Sequence, residues 1–270
     1  MTANFDALNA QRIQDSIQQF STKNLDTPYR GSINCFESID STNAWLLENG
    51  KDGDFCLSET QTAGRGRQNN PWVSPNSGNI YLSYCCYFDK SIEHRSLLGL
   101  VVGITIAESL EEIGLSGHGI KWPNDIFWNS KKLGGILIQT ADNYEKFVIG
   151  IGLNISLPKE SHSEITQAAV SLEEALKGKS FDREEVAIQL IQNLLSYSEI
   201  FPKLPFQAFL KSWNRWDILR DQEVSFQHQN KVISGKVNDI DKHGRIGILL
   251  ESGTEYFSAA DIKLKKPALN

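Results

Sequence analysis

The sequence predicts an α+β fold: a mixed β-sheet carrying helices, followed by a small all-β unit towards the C-terminus. Three observations lead there. The strand-like segments of the first part come in a mixed order with several hairpins, as across Asn129-Ser130, which disfavours a doubly wound parallel sheet. The apolar stretch at residues 97–113 and the capped stretch from Asp182 to about Ser198 are long enough for helices and too long for ordinary strands. After Trp216 the texture changes to short strands at Val224 and residues 232–237, 246–250 and 256–257, separated by glycine turns. That pattern predicts a small barrel and divides the chain into residues 1–217 and 218–270.

The elements follow in order. Phe5, Leu8, Ile13, Ile17 and Phe20 recur at helical spacing and predict an N-terminal amphipathic helix, with a polar connection over residues 21–30. Residues 33–39 read as a strand. Asp40-Ser41-Thr42 offer capping oxygens for a short helix through Leu47, which Gly50 ends. Residues 55–60 form the next strand. Residues 61–78, rich in Gly, Asn, Pro and Arg, form a long loop of the kind that is functional or disordered. Residues 80–88 carry large side chains on both faces, as a central strand does. The helix at 97–113 leaves through the glycines of 114–119. Strands at 120–122 and 126–128 flank Pro123-Asn124-Asp125, and a tight hairpin leads into 131–140 and then 147–154. Ser171-Leu172-Glu173-Glu174 and Asp182-Arg183-Glu184-Glu185 have capping-box spacing, and residues 206–216 form a further short helix.

Composition removes several classes of function. Lys and Arg number 27 against 33 Asp and Glu, a net charge of −6, which weighs against a nucleic-acid coat protein or a membrane-surface binder. A local basic site remains compatible with that total. The four cysteines, at positions 35, 56, 85 and 86, include no C-x-x-C pair. Cys85 and Cys86 neighbour each other on one strand and point to opposite faces, so they read as small buried hydrophobes in a reducing compartment. The scattered histidines and the lack of H-E-x-x-H exclude a recognisable zinc site. The first residues lack the basic and apolar regions of a signal peptide, and residues 97–107 fall short of the about 20 that span a bilayer. A cytoplasmic protein is expected.

Four groups of residues have chemical potential. Gly64-Arg65-Gly66-Arg67 combines glycines that let a backbone approach a ligand with two guanidinium groups that clamp carboxylate or phosphate oxygens. It matches neither a P-loop nor G-x-G-x-x-G. Lys121-Trp122-Pro123-Asn124-Asp125 puts a compact positive charge at a strand end, suited to an α-phosphate or a developing negative charge. Asp125 is a candidate magnesium ligand, directly or through water. Lys132-Leu133-Gly134-Gly135-Ile136-Leu137 and Gly150-Ile151-Gly152-Leu153-Asn154 place glycines inside strands, which suggests a flat ligand on the sheet or a tight strand–helix contact. Asp40-Ser41-Thr42-Asn43 is a helix cap that also suits a polar ligand head. Each group alone also has a plain structural reading. Together they propose an anion-binding sheet and nucleotide or acyl-phosphate chemistry.

Taken in order, these motifs resemble those of the biotin–protein ligases. The run comprises Asp40 to Asn43, Glu59 to Arg67, Trp72-Val73-Ser74-Pro75, Gly78 to Ser83, Lys121 to Asp125, Lys132 to Leu137 and Gly150 to Asn154, covering about residues 36–155. The C-terminal part resembles the small SH3-like domain of that family. The resemblance implies a class II synthetase-like catalytic domain of the biotin/lipoate ligase type. It implies ATP with Mg2+, biotin as substrate, and a biotin carboxyl carrier protein domain as acceptor. It also implies two steps: formation of biotinyl-5′-adenylate, then transfer to a carrier lysine. By resemblance Ser41, Thr42, Asn43, Gln61, Arg65, Gly66, Arg67 and Lys121 bind biotin, with Lys121 and Arg67 acting in catalysis. Trp72, Asn124, Asp125, Gly134, Gly135 and Asn154 are the expected ATP and adenylate residues, with the metal near Asp125. The resemblance is compatible with a monomer or a homodimer.

Two departures matter. Many relatives continue the Gly-Arg-Gly-Arg run with more Arg and Gly, whereas this chain continues Gln68-Asn69-Asn70-Pro71, which implies altered loop mobility and adenylate retention. Some relatives carry an N-terminal helix-turn-helix domain. Here one helix precedes the first strand, so no operator binding is expected. The rivals are a lipoate–protein ligase or acyltransferase of the related fold, and a non-enzymatic binding module whose barrel docks protein or nucleic acid.

Overall fold

A computed structural model of the chain describes residues 6–141, 145–157, 168–229, 231–258 and 262–264. Helix α1 spans Ala10–Asn24, and the Asn9 side chain caps it by accepting from Arg12 N. The helix therefore starts later than the apolar spacing suggests: Leu8 is buried but lies before the cap, and Phe5 falls outside the described residues. It also runs through the stretch expected to be a polar connection, because Ser21 turns inward and its hydroxyl donates to Gln18 O.

The main sheet has seven strands: β1 (Ile33–Ile39), β2 (Phe55–Gln61), β3 (Ile80–Tyr87), β4 (His118–Lys121), β5 (Asp125–Trp128), β6 (Lys131–Ala141) and β7 (Lys146–Leu153). Their spatial order is β1-β2-β3-β7-β6-β5-β4. β1 and β2 pair in parallel and every other pair is antiparallel, so the sheet is mixed as expected. Helix α2 (Thr42–Asn49), capped by Ser41, makes the parallel crossover. The β5–β6 hairpin turns at Asn129 and Ser130, both at positive φ (47° and 63°), as its two-residue length requires.

The two faces of the sheet have different fates. One packs Phe55, Leu57, Leu82, Tyr84, Ile149 and Ile151 into the large core with α3 (Leu98–Glu112), α5 (Arg183–Ile200) and α6 (Phe206–Trp216). The other carries a small cluster of Leu46, Cys56, Cys85 and Val148 beneath α2. Cys85 and Cys86 thus fall in opposite layers, and all four cysteines are free. The short α4 (Leu172–Ala175) and α5 are capped by Ser171 and Asp182. A buried ion pair locks the layers: Arg183 donates from Nη1 to Glu59 Oε2 at 2.7 Å and from Nη2 to Glu59 Oε1 at 2.9 Å. Arg12 meets Asp182, Glu184 and Glu185, tying α1 to the start of α5.

One expectation needs correction. The sequence predicts one turn over the glycines of 114–119, but Gly119 lies inside β4, where a Cβ would sit 2.6 Å from Trp216 O. It permits a close approach rather than a turn. The barrel appears as a five-stranded antiparallel sheet of β8 (Glu223–His228), β9 (Lys231–Ile240), β10 (Ile246–Leu250), β11 (Gly253–Phe257) and β12 (Lys263–Leu264). Its order is β11-β10-β9-β8-β12, and among the described residues the end strands do not pair to close it. Among the described residues two hydrogen bonds join this sheet and its approach to the first: Trp122 Nε1 donates to Gly244 O (2.9 Å) and Ile218 N to Ile120 O (3.1 Å). Among the described residues no helix is long and apolar enough to cross a membrane.

Asp217 ends α6, and its carboxylate accepts from Leu219 N (2.9 Å) and Trp213 Nε1 (3.2 Å). Burial pushes its pKa up from 3.8 to about 6. The folded protein therefore keeps a proton that the unfolded chain loses, and this contribution to stability fades as pH rises from about 4 to about 6. The expected size is about 2–3 kcal/mol. Thermal melts at pH 4 to 7 should show a shallower pH dependence for Asp217→Asn than for wild type, and identical slopes would refute the assignment.

Candidate active site

The second face of the sheet becomes a cavity wall where side chains are missing. A Cβ on Gly150 would fall inside the Asn43 amide, and one on Gly152 inside the Trp72 indole. Gly135 lies under the same indole, with its would-be Cβ 3.2 Å from Trp72 Cζ3. The glycine strands thus accommodate the protein's own side chains, which replaces the expectation of a flat ligand lying directly on them. Lys132 Nζ stands 5.2 Å from the Trp72 ring centroid.

The loop after β2 is more ordered than its composition suggests. Gly66 N donates to Asn70 O (2.7 Å), Asn70 N to Arg67 O (3.1 Å) and Trp72 N to Gly64 O (2.9 Å). Gln68 and Asn69 adopt positive φ (55° and 60°), so the Gln68-Asn69-Asn70-Pro71 departure forms the tight tip of a small hairpin. A Cβ at Gly64 would sit 2.6 Å from Trp72 O, which accounts for the glycine there.

A cavity of about 760 Å³ lies between this loop, the N-terminus of α2, the β4–β5 turn and strands β6 and β7. Among the described residues four cations line it, Arg65, Arg67, Lys121 and Lys132, and Asp125 is its one carboxylate. Arg67 Nη1 donates to Asn124 Oδ1 at 3.1 Å, which fixes the hairpin against the β4–β5 turn. Lys132 Nζ lies 2.8 Å from Asp125 Oδ1. Lys121 makes no ion pair among the described residues, and its ammonium lies 5.2 Å from the Phe127 ring centroid. An unpaired lysine opposite two arginines is a place for an anion.

A polar chain lines the cavity's inner end. Thr42 N donates to Gln61 Oε1 (2.9 Å), and Gln61 Nε2 donates to Ser74 Oγ (3.0 Å). Ser83 Oγ lies 2.7 Å from Thr42 Oγ1 and 2.6 Å from Asn43 Oδ1. Asn43 Nδ2 donates to Gln139 Oε1 (2.9 Å) and Leu137 O (3.3 Å).

The structure brings together every candidate from the sequence except Gly134. A Cβ there would meet Gly152 O at 2.8 Å, so Gly134 serves strand packing while its neighbour Gly135 faces the cavity. Several amides are already committed internally. Asn124 receives Arg67 and donates to Ile136 O (2.9 Å), and Asn154 donates to Lys132 O and Val170 O (both 3.3 Å). Sequence reasoning missed Lys132, Ser83 and Gln139. Lys132 heads a motif already singled out for its glycines, and Ser83 is a small polar residue inside an apolar strand; both were available signals. Gln139 carried none. A protein-built metal cage is not present: no group of three or more His, Cys, Asp or Glu side chains fit to hold an ion occurs among the described residues. Asp125 alone on the wall suits a magnesium ion that brings its own phosphate ligands.

Comparison with known proteins places these features in context. Residues 35–156 match the biotin/lipoate A/B protein ligase family, and residues 221–265 match the biotin protein ligase C-terminal domain. The chain is 35% identical to the bifunctional ligase/repressor BirA of Escherichia coli over 82% of this chain and 70% of that protein. It is 29% identical to the biotin–[acetyl-CoA-carboxylase] ligase of Mycobacterium tuberculosis, over 82% of this chain and 85% of that one. Among solved structures, it resembles the biotin protein ligase of Aquifex aeolicus in complex with biotin and ATP. That match has a TM-score of 0.74 and 28% identity, covering 87% of this chain and 99% of the other.

The charge arrangement predicts polyanion binding without divalent cations. Inorganic triphosphate should bind Asp125→Asn severalfold more tightly than wild type, because Lys132 is released, and Lys121→Ala about tenfold more weakly. Calorimetry at low salt measures both, and the reverse order would show that the cavity is not the anion site.

Proposed function

This chain belongs to the biotin protein ligase family, and from that premise we propose that its cavity joins biotin to ATP and passes the activated biotin to a carrier lysine. One observation supports this above the rest. Arg65 and Arg67 on the loop and Lys121 at the end of β4 face one cavity, with Arg67 bonded to Asn124 of the β4–β5 turn. In the first step a biotin carboxylate oxygen attacks the α-phosphorus of ATP, and the bond to the bridging oxygen breaks to release pyrophosphate. Both reactants are anions, and the cations offset their repulsion and stabilise the charge of the transition state. In the second step the carrier amine attacks the anhydride carbonyl. The amide forms, AMP departs with the bridging oxygen, and the amine proton passes to solvent.

Lys121 and Arg67 touch the reacting carboxylate–phosphate junction in this reading. Ser41, Thr42, Asn43, Gln61, Arg65 and Gly66 form the biotin end, Asn43 as a brace. Trp72, Gly135, Asn124, Asp125 and Asn154 form the nucleotide end, the two asparagines holding the wall. Magnesium would enter with ATP, and Asp125, the carboxylate lining the cavity, would be its protein ligand. The acceptor is a biotin carboxyl carrier protein domain, and residues 1–217 and 218–270 are the catalytic and C-terminal domains. Operator binding is not part of the proposal: α1 buries Ile13 and Ile17 in the core and is held to α5 through Arg12, so it is not free to read a groove. Four free cysteines fit a cytoplasmic setting.

A labelling assay with ATP, magnesium and a purified carrier domain, offered biotin or lipoate, tests the reading. Biotin transfer is expected, and transfer of lipoate alone would move the chain to the other branch of the fold. Lys121→Ala should slow adenylate formation by at least about 100-fold. Pyrophosphate release from that variant at the wild-type rate would remove Lys121 from the mechanism.

A further inference from the structure

The polar chain at the inner end of the cavity has a polarity that can be assigned link by link. The carbonyl of Leu137 only accepts, so the end of the Asn43 amide that meets it at 3.3 Å is Nδ2, which also donates to Gln139 Oε1 at 2.9 Å. The other end, Oδ1, then lies 2.6 Å from Ser83 Oγ. An amide oxygen cannot donate, so the single hydroxyl proton of Ser83 goes to Asn43. Ser83 Oγ also lies 2.7 Å from Thr42 Oγ1. With its own proton committed, Ser83 accepts in that contact and Thr42 donates. The next oxygen, Gln61 Oε1 at 3.1 Å from Thr42 Oγ1, is also an acceptor and already takes Thr42 N–H. The Thr42 proton is therefore consumed inside the protein, and Thr42 offers the cavity lone pairs only.

The chain has no room to rearrange. Ser83 is fully buried (0% exposed), Thr42 and Asn43 are each 4% exposed, and Gly150 closes directly onto the Asn43 amide. The geometry points to Ser83 as a positioning residue that sets head-group specificity: by drawing in the Thr42 proton, it makes the cavity select ligands whose head presents an N–H donor. A cyclic urea meets that requirement. A dithiolane, with neither N–H nor O–H, leaves the Thr42 lone pairs unpaired, which a site built for a hydrogen bond penalises. This deepens the biotin ligase reading and rests on it.

Ser83→Ala leaves Thr42 with only the longer Gln61 contact, so its proton is held less firmly away from the cavity. Pyrophosphate release gives KM values for biotin, for desthiobiotin (which keeps the urea and lacks the sulfur ring), for lipoate and for ATP. In Ser83→Ala the KM for both ureido acids should rise together by about tenfold, while the KM for ATP changes less than twofold and the preference over lipoate shrinks. Ser83→Cys keeps a side-chain donor, though a weaker and larger one, and should fall between, which covers the case in which the alanine variant does not fold. Wild-type KM for the ureido acids in a folded variant, or equal rises for biotin and ATP, overturns the assignment. A wild-type protein that turns over neither ureido acid overturns the parent reading and this one with it.

Discussion

The site depends on close approach at two glycines. Where Gly150 and Gly152 present bare backbone, Asn43 and the Trp72 indole lie directly against β7. The first contact sets the start of α2 on the sheet and so places Ser41 and Thr42. The second anchors the loop after β2, and through it Arg65 and Arg67. A methyl group at either position would lift one wall of the cavity from its floor. A side chain can be moved in a rotamer; backbone in the middle of a seven-stranded sheet cannot, so the tolerance here is small.

On that floor the electrostatic problem becomes tractable. A chain with a net charge of −6 would repel a polyphosphate at long range, yet among the described residues four cations converge on one cavity against a single carboxylate. Within a Debye length of about 8 Å the local arrangement outweighs the total. The arrangement is held by neutral partners. Asn124 fixes Arg67 without neutralising it, whereas the Lys132–Asp125 ion pair holds a fourth cation beside the wall.

Much of this was legible in the sequence because the signals were local. Residues 33–39 were read as a strand and form β1 with the same limits, and Ser41 caps α2 as its side chain chemistry suggested. Errors arose where a distant contact decided the outcome. The cap at Asn9, with Asn9 N also bound by Glu184 Oε2, shortened α1 against its apolar spacing. Gly119 looks like a turn residue until Trp216 O is seen beside it. The same rule holds in the site. Its cations and glycines sit in short runs and were found, except Lys132. Ser83 on β3 and Gln139 on β6 matter through Asn43 of α2, 40 and 96 residues away, and sequence spacing does not encode such a pair.

The second sheet reaches the site through one side chain. Trp122 stands between Lys121 and Pro123, is 2% exposed, and donates its indole N–H to Gly244 O in the turn between β9 and β10. Gly244 has positive φ (75°) and packs against Ser96 O, Leu97 and Leu100 at the start of α3. The turn therefore wedges between α3 and the β4–β5 connection, with its carbonyl facing the one residue that separates the unpaired lysine from the cis Trp122–Pro123 bond. Ile218 N on Ile120 O fixes the same strand from the chain entering the second sheet. A buried indole N–H without an acceptor would cost about 1–3 kcal/mol, so loss of the second sheet would be felt first at the lysine turn. The C-terminal sheet thus acts as a clamp on Lys121 from behind, while the Asn124–Arg67 hydrogen bond holds the turn from the cavity side. A turn pinned from both sides fixes the backbone next to Lys121 without pairing its ammonium, which leaves that cation available to negative charge in the cavity.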